Sequence, residues 1–543
     1  MSDYSGPTYI CYFMLDRLGS NLMLAKDLAN RFLENGRKQF MQLTSSQIVE
    51  AAKSGGGGPT KEPRVMVVNG EPRIAKGGGN YRGGFMFMDT EGHLWHFGKT
   101  STALHNSVVI GYRQDNVQVK LHEVSLDYSR KIVDFGFISG AACFVLYEDG
   151  ELLTWGQNSF GQLGIGESTS YSTCIPATVV GSWDRVVVPN AFAYYANGGS
   201  LYIRDKNTGE WWYAGYNNSN NTHTIGVDAP SSVLSPVQIP QPDGEVIRDM
   251  YVGGGYDANI FAVTESGNIY AAGRNWSGSC GIDSTSQGIS TWTPVVGLPL
   301  PMTPTQLKTY QIVLTNGYTS SEDRANGTMS SVVIDGELYT CGHGDYGNLG
   351  RGDTASQQTF GKVTLPAKIA KYICTGGGFS AQYVLLENGE LWRWGHNESG
   401  TLGDGTYTYK TSPEKLADGI KDAWMSKAHG TYGYLSTVMY RTNDDRYFTV
   451  GQFGSGCHCP IDPTLRDTKY NVPVETRWGY LQEDLVHFMW CSEWRNHTLR
   501  TIYGFTADGR MYAAGNSLNM ISDKSPFSYG ATNIELWQPH PFL

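Results

Sequence analysis

The chain has 543 residues, 17% of them charged and 12% aromatic, with 67 glycines and a formal net charge of −10. This length exceeds one ordinary core and points to a barrel or a repeat architecture; no Gly-X-Y period runs through it, which excludes collagen. The acidic balance gives no support to nucleic acid or an anionic membrane surface as a partner.

From the N-terminus, MSDYSGPTYICYFMLDR has neither the basic flank of a secretory signal nor an apolar run long enough to span a bilayer. SNLMLAKDLANRFL sets Leu22, Ala25, Ala29, Phe32 and Leu33 at helical spacing, with Gly36 as a stop. Thr44 and Gln47 have the spacing of a capping box at the head of a second short helix. SGGGGPT (54–60) is a flexible linker by composition. Residues 1–60 are therefore expected to form a small α-helical attachment segment on a tether, docking on a partner subunit. Residues 61–543 are expected to form a separate β domain.

That second region repeats. TWGQNSFGQLGIG (154–166) aligns without gaps to AAGRNWSGSCGID (271–283), TCGHGDYGNLGRG (340–352) and RWGHNESGTLGDG (393–405). Two apolar runs around a turn precede each copy, as in FVLYEDGELLTWG and YVLLENGELWRWG. Asp-Gly, Ser-Gly and Asn-Gly between apolar runs signal a hairpin, because these residues tolerate positive φ. With looser copies included, the turns fall at Gly92, Gly150, Gly209, Gly267, Gly336, Gly389, Asp445 and Gly509, spaced 53 to 69 residues apart. Each unit has room for about four strands. An open stack of such units would leave bare sheet edges, so a closed β-propeller of four-stranded antiparallel blades is expected. RVMVVNG (64–70) and the C-terminal NIELWQPHPFL are expected to pair and close the ring.

Apolar strand, Asp-Gly, apolar strand, then Trp-Gly-x-Asn-x-x-Gly-Gln-Leu-Gly-x-Gly resembles the repeat of the regulator of chromosome condensation. Residues 140–166 match it nearly in full, and 327–352 and 376–405 match well. The resemblance implies an all-β propeller, normally of seven blades, where eight repeats are counted here. It implies no single chemistry. Its members include a nucleotide-exchange factor for a small GTPase, domains of ubiquitin ligases, an inhibitor of β-lactamases, and viral and bacterial surface proteins. No stretch matches the exchange factor's catalytic insertion.

No phosphate-cradling loop, H-E-x-x-H or G-x-S-x-G occurs, so no catalytic residue, cofactor or metal is expected. Cys457-His458-Cys459, with Cys491 or His487, is a weak metal signal that free thiols explain better. The slot after the Gly of the Trp-Gly pair holds Gln157, Tyr216, Arg274, His343, His396 and Gln452, which a closed ring would place on one face. These residues are read as either a solvated turn or a contact surface. Phe160, Trp276 and Tyr346 in the same turns are candidate interface anchors. Asn158, Asn275 and Asn397 are expected to cap the turns. Insertions at about 284–326 and 454–490 are the next binding candidates.

The expected function is a non-enzymatic interaction module, without nucleic acid or a membrane span. Low charge, eroded repeats and an attachment-like N-terminus suggest a virus-particle component, such as a bacteriophage tail, fibre or decoration protein. It would be assembled through residues 1–60 and the propeller loops, and would contact a host surface receptor. The alternative is a cytoplasmic regulator of a small GTPase, or a propeller accessory to a ubiquitin ligase.

Overall fold

The computed structural model describes residues 64–75, 85–97, 122–124, 126–139, 142–189, 199–217, 232–253, 259–315, 328–374, 381–425, 437–452, 469–476, 485–492, 500–516 and 533–539. The expected helices of residues 1–60, the linker after them, and Cys457-His458-Cys459 lie outside the described residues. Among those described, the helical pieces are four three-residue 3-10 turns. No described helix is long and apolar enough to cross a membrane.

Seven sheets have four strands each, one has three, and a two-stranded hairpin accompanies the first. Sequence order is sheet order, so each sheet is one repeat folded as an antiparallel meander. We number the sheets as blades 1 to 8, with strands running from inner to outer. Blade 3, for example, comprises Trp183–Val187, Ser200–Asp205, Trp211–Tyr216 and Ser232–Gln238. All eight turns read as hairpins lie between second and third strands. Each adopts the positive φ that the turn chemistry demands, from 61° at Asp445 to 103° at Gly150.

The core lies between blades. One apolar cluster joins Phe144, Leu146 and Leu152 of blade 2 to Trp183, Leu201 and Ile203 of blade 3. Second strands, packed on both faces, are buried at every position in Ala142–Tyr147, Asn259–Thr264, Met329–Ile334 and Ala381–Leu386. Two-sided burial explains why these strands read as near-continuous apolar runs rather than alternating ones.

Two recurrent backbone joints lock neighbouring blades. At the hairpin-turn end, the turn glycine's carbonyl accepts an N–H from the start of the next blade: Trp183 to Gly150 (2.8 Å), Ile369 to Gly336 (2.9 Å) and Ile420 to Gly389 (2.9 Å). Val65 donates to Gly509 in the same way at 2.9 Å, so the last blade is joined to the first by the bond that joins consecutive ones. Arg64 and Asp508 reinforce this joint at 2.8 Å.

The ring therefore closes sheet against sheet, which corrects the pairing expected from sequence. The C-terminal strand Asn533–Pro539 pairs with Met511–Asn516 in its own blade. RVMVVNG stays in blade 1, where Val65 bridges Asp89 and Ile74 bridges Phe87. Between them, Val67–Val68 and Glu71–Pro72 form a hairpin. Asn69 and Gly70, at φ 53° and 81°, turn the chain back after two residues and so split the inner strand.

Candidate functional site

Among the described residues, the repeated Gly-rich turn follows the third strand of blades 2, 4, 5 and 6 and forms the second joint. Gly166, Asp283, Gly352 and Gly405 donate backbone N–H bonds to Leu234, Gln358, Thr411 and Asn471 on the outer strand of the following blade, at 2.6–3.0 Å. A Cβ on Gly161, Gly278, Gly347 or Gly400 would lie 2.5–2.8 Å from that same strand's backbone, so a side chain there would force the blades apart. Within the turn, the asparagine caps as expected. The Asn158, Asn275 and Asn397 side-chain oxygens accept from Leu163, Cys280 and Leu402 at 3.1, 2.9 and 2.8 Å. Their amides donate to the Glu167, Ser284 and Thr408 carbonyls.

This packing decides the fate of the slot residues. Gln157, His343 and His396 are only 6%, 4% and 2% exposed, packed within the protein rather than solvated. Tyr216 and Arg274 are half-buried, and the Gln452 side chain lies outside the described residues. The aromatic anchors turn inwards across the joint. Phe160 of blade 2 meets Tyr216 of blade 3 edge-on at 4.8 Å, and Tyr346 of blade 5 meets His396 of blade 6 in the same geometry and distance. Arg274 lies over its own neighbour Trp276 at 5.2 Å. These residues join blades more than they advertise a surface.

Burial holds both histidines below the usual imidazole pKa, opposed by Asp345 beside His343 and Glu398 beside His396. The fold thus prefers them neutral. Above the unfolded pKa of 6.5 they contribute no pH dependence; as pH falls below it, the unfolded chain binds protons that the native state refuses. Stability is therefore expected to fall on acidification from pH 7.5 to 5.5, by at most about 1.4 kcal/mol per pH unit for each histidine. Thermal melts of the protein and of His343→Gln and His396→Gln check this: the variants should show a shallower pH slope.

The opposite, hairpin-turn end carries a feature of another kind. Six inner strands have a register irregularity at the same point, just before Asp134, Arg185, Asp249, Lys371, Asp422 and His487. Every one is titratable, and three pairs bridge blades: Arg185 with Asp249, Lys371 with Asp422 at 2.8 Å, and His487 with Glu71 at 2.8 Å. The hydrogen bond from His487 is the main cause that lowers the Glu71 pKa.

Between blades 3, 4 and 5 this charged belt opens into a cleft of about 640 Å3, lined by Arg185, Arg204, Arg248, Asp249, Tyr251, Glu265, Leu307, Lys308 and Tyr310. Asp249, whose side chain is 11% exposed, is its inner anchor. It accepts from Tyr310 Oη at 2.7 Å and pairs with Arg185 and with Arg248 Nε at 3.3 Å. Asp184 clamps Arg204 through two 2.8 Å bonds. Burial and the neighbouring Tyr251 push the Tyr310 hydroxyl well above its usual pKa, so it stays a proton donor.

Leu307, Lys308 and Tyr310 come from the blade 4-to-5 connection, within the insertion at 284–326 singled out from the sequence. The arginines were not singled out. Part of the signal was present as charge recurring at one place on inner strands, Arg185 in WDRVV, Asp249 in VIRDMYV and Lys371 in IAKYIC. Among the described residues no His/Cys/Asp/Glu group could hold a metal. Arg351 of the Arg-Gly-Asp tripeptide donates to the Thr340 and Thr359 carbonyls of its own blade, both at 3.3 Å.

Comparison with known proteins agrees with this architecture. The model of the regulator of chromosome condensation (RCC1) repeat matches residues 149–188 and 335–381. An ultraviolet-B receptor of Arabidopsis thaliana is 23% identical over 358 residues, covering 63% of this chain and 72% of the receptor. A mitochondrial RCC1 domain-containing protein of the same plant is 24% identical over 340 residues, covering 61% and 67%. An E3 ubiquitin-protein ligase of Homo sapiens is 26% identical over 51% of this chain, but only 5% of the ligase is spanned. The repeated turn, the eight hairpins and the two blade joints together make this chain a β-propeller whose repeats are similar to those of the regulator of chromosome condensation.

Proposed function

We propose that this chain is a non-catalytic interaction scaffold, a regulator or accessory propeller, that presents the charged cleft of blades 3 to 5 to a protein partner. The observation that carries the reading is the cleft. It is a concave site with convergent guanidinium and hydroxyl donors, on strands of blades 3 and 4 and the connection that leads into blade 5. Gln157, His343 and His396 are buried in the turns at the other end of the disc, which favours this end as the better-equipped surface. The plant and human relatives favour a regulator over the virus-particle setting suggested by composition, which gains nothing from them. The attachment role of residues 1–60 remains part of the proposal, and deletion of that segment tests it by the partners lost.

Charge reversal tests the scaffold reading. Arg248→Glu is expected to weaken partner capture at least about tenfold, whereas Lys421→Ala, in an exposed pair on blade 7, should leave it unchanged. Quantitative affinity capture from cell extract reads the difference. Identical partner sets and amounts for both variants would sink the assignment of this cleft. A nucleotide-release assay against small GTPases tests the regulator setting separately.

A further inference from the structure

We propose that the cleft recognises a phosphomonoester carried on a serine or threonine of the partner, a specificity that rests on the interaction role given above. The donors point to this chemistry. Arg185 and Arg248 are held from behind by Asp249, yet their side chains remain 44% and 36% exposed. Both guanidinium side chains are therefore partly open to solvent at the cleft. Arg204 and the exposed Lys308 lie at the same opening, with the Tyr251 ring edge-on to Tyr310 at 6.0 Å on its wall. A planar guanidinium fork suits the oxygens of phosphate, and the guanidiniums of Arg185 and Arg248, with the ammonium of Lys308 and the positive charge of the Asp184-clamped Arg204 beside them, suit a group that has three acceptor oxygens and two charges.

The charges balance on the same reading. The four cations Arg185, Arg204, Arg248 and Lys308 face three carboxylates, Asp184, Asp249 and Glu265. Asp184 and Asp249 are committed to the network. Glu265 is not: it stands on the hairpin turn, 56% exposed, with one 3.3 Å contact to Arg248 Nη1. An exposed pair of that length contributes about 0–1 kcal/mol, so an incoming anion displaces it at little cost. With Glu265 moved aside, the excess is two positive charges, the complement of a phosphomonoester dianion near pH 7. A carboxylate would leave one charge uncompensated and use fewer donors. A cleft of about 640 Å3 also has room for the residues flanking the modified side chain.

The test is fluorescence anisotropy of the full-length protein with a fluorescein-labelled heptapeptide bearing one phosphoserine among Ala and Gly, next to its Ser and Glu counterparts. Saturable binding of the phosphopeptide is expected, about tenfold or more tighter than either counterpart and weakened by salt. Arg248→Ala and Lys308→Ala should each cost about tenfold, Glu265→Gln should tighten binding, and Lys421→Ala should change nothing. Circular dichroism melts confirm that the variants fold. Inorganic phosphate is the competitor. If it binds while the phosphopeptide does not, the cleft is a small-anion site and the proposal fails. Equal binding of the Glu and phosphoserine peptides also overturns it, but leaves the scaffold reading intact. If no peptide binds and Arg248→Glu does not alter partner capture, both readings fall.

Discussion

Gly509→Ala is expected to destabilise the protein by about 2–4 kcal/mol, and Gly209→Ala by only about 1 kcal/mol. Both glycines occupy the same hairpin-turn slot, with φ of 83° and 75°, so the backbone penalty is shared. Their surroundings differ. Nothing lies within 4 Å of a Cβ on Gly209, whereas a Cβ on Gly509 would fall 2.0 Å from the Val65 carbonyl oxygen. Val65 cannot retreat without losing its N–H bond to the Gly509 carbonyl and pulling Arg64 from Asp508. The excess loss at Gly509 therefore measures the ring-closing joint. Chemical denaturation midpoints of the two variants read it directly, and equal midpoints would mean that blades 8 and 1 are not locked together. A companion sign of an opened ring is faster proteolysis near residues 64–75.

The second large effect is expected at Asn397. Its side chain is fully buried and works in both directions, accepting the Leu402 N–H and donating to the Thr408 carbonyl. Asn397→Ala strands a buried N–H and frees the turn that meets blade 7, at a cost of about 2–4 kcal/mol. Asn397→Asp keeps the acceptor but loses the donor, and sets a second carboxylate beside Asp404, so it should rescue little. Asn388 is the control. It caps Glu390 N–H at 3.1 Å in an exposed hairpin turn, so Asn388→Ala should cost under about 1 kcal/mol. Differential scanning calorimetry ranks the three. Similar losses at Asn397 and Asn388 would mean that the turn is held by its glycines alone.

Much of this fold was legible because its signals are local. A positive φ at Gly150 or Asp445 is a property of one residue and its neighbours, and so is the Asn cap that reaches five residues ahead. The period that counts eight units follows from the same short motifs. The split inner strand of blade 1 was written in Asn69-Gly70, a hairpin turn of the same kind as the others, set inside the segment RVMVVNG that was read only as a closing strand.

The site was not legible in the same way. His343 and His396 sit in a glycine-rich, polar stretch that reads as solvated, yet both are buried, His396 edge-on to Tyr346 of the preceding blade. Arg185 and Asp249 are 64 residues apart, and each looks like an ordinary surface charge in its own strand. By itself, the sequence determined the repeat, the hairpins and the capped turns, since turn chemistry and apolar runs act within a dozen residues. Only the tertiary structure decided how the ring closes, which slot residues are lost to packing, and where charges converge into a cleft. Those outcomes depend on the register of one blade against the next, set by contacts between residues about sixty positions apart.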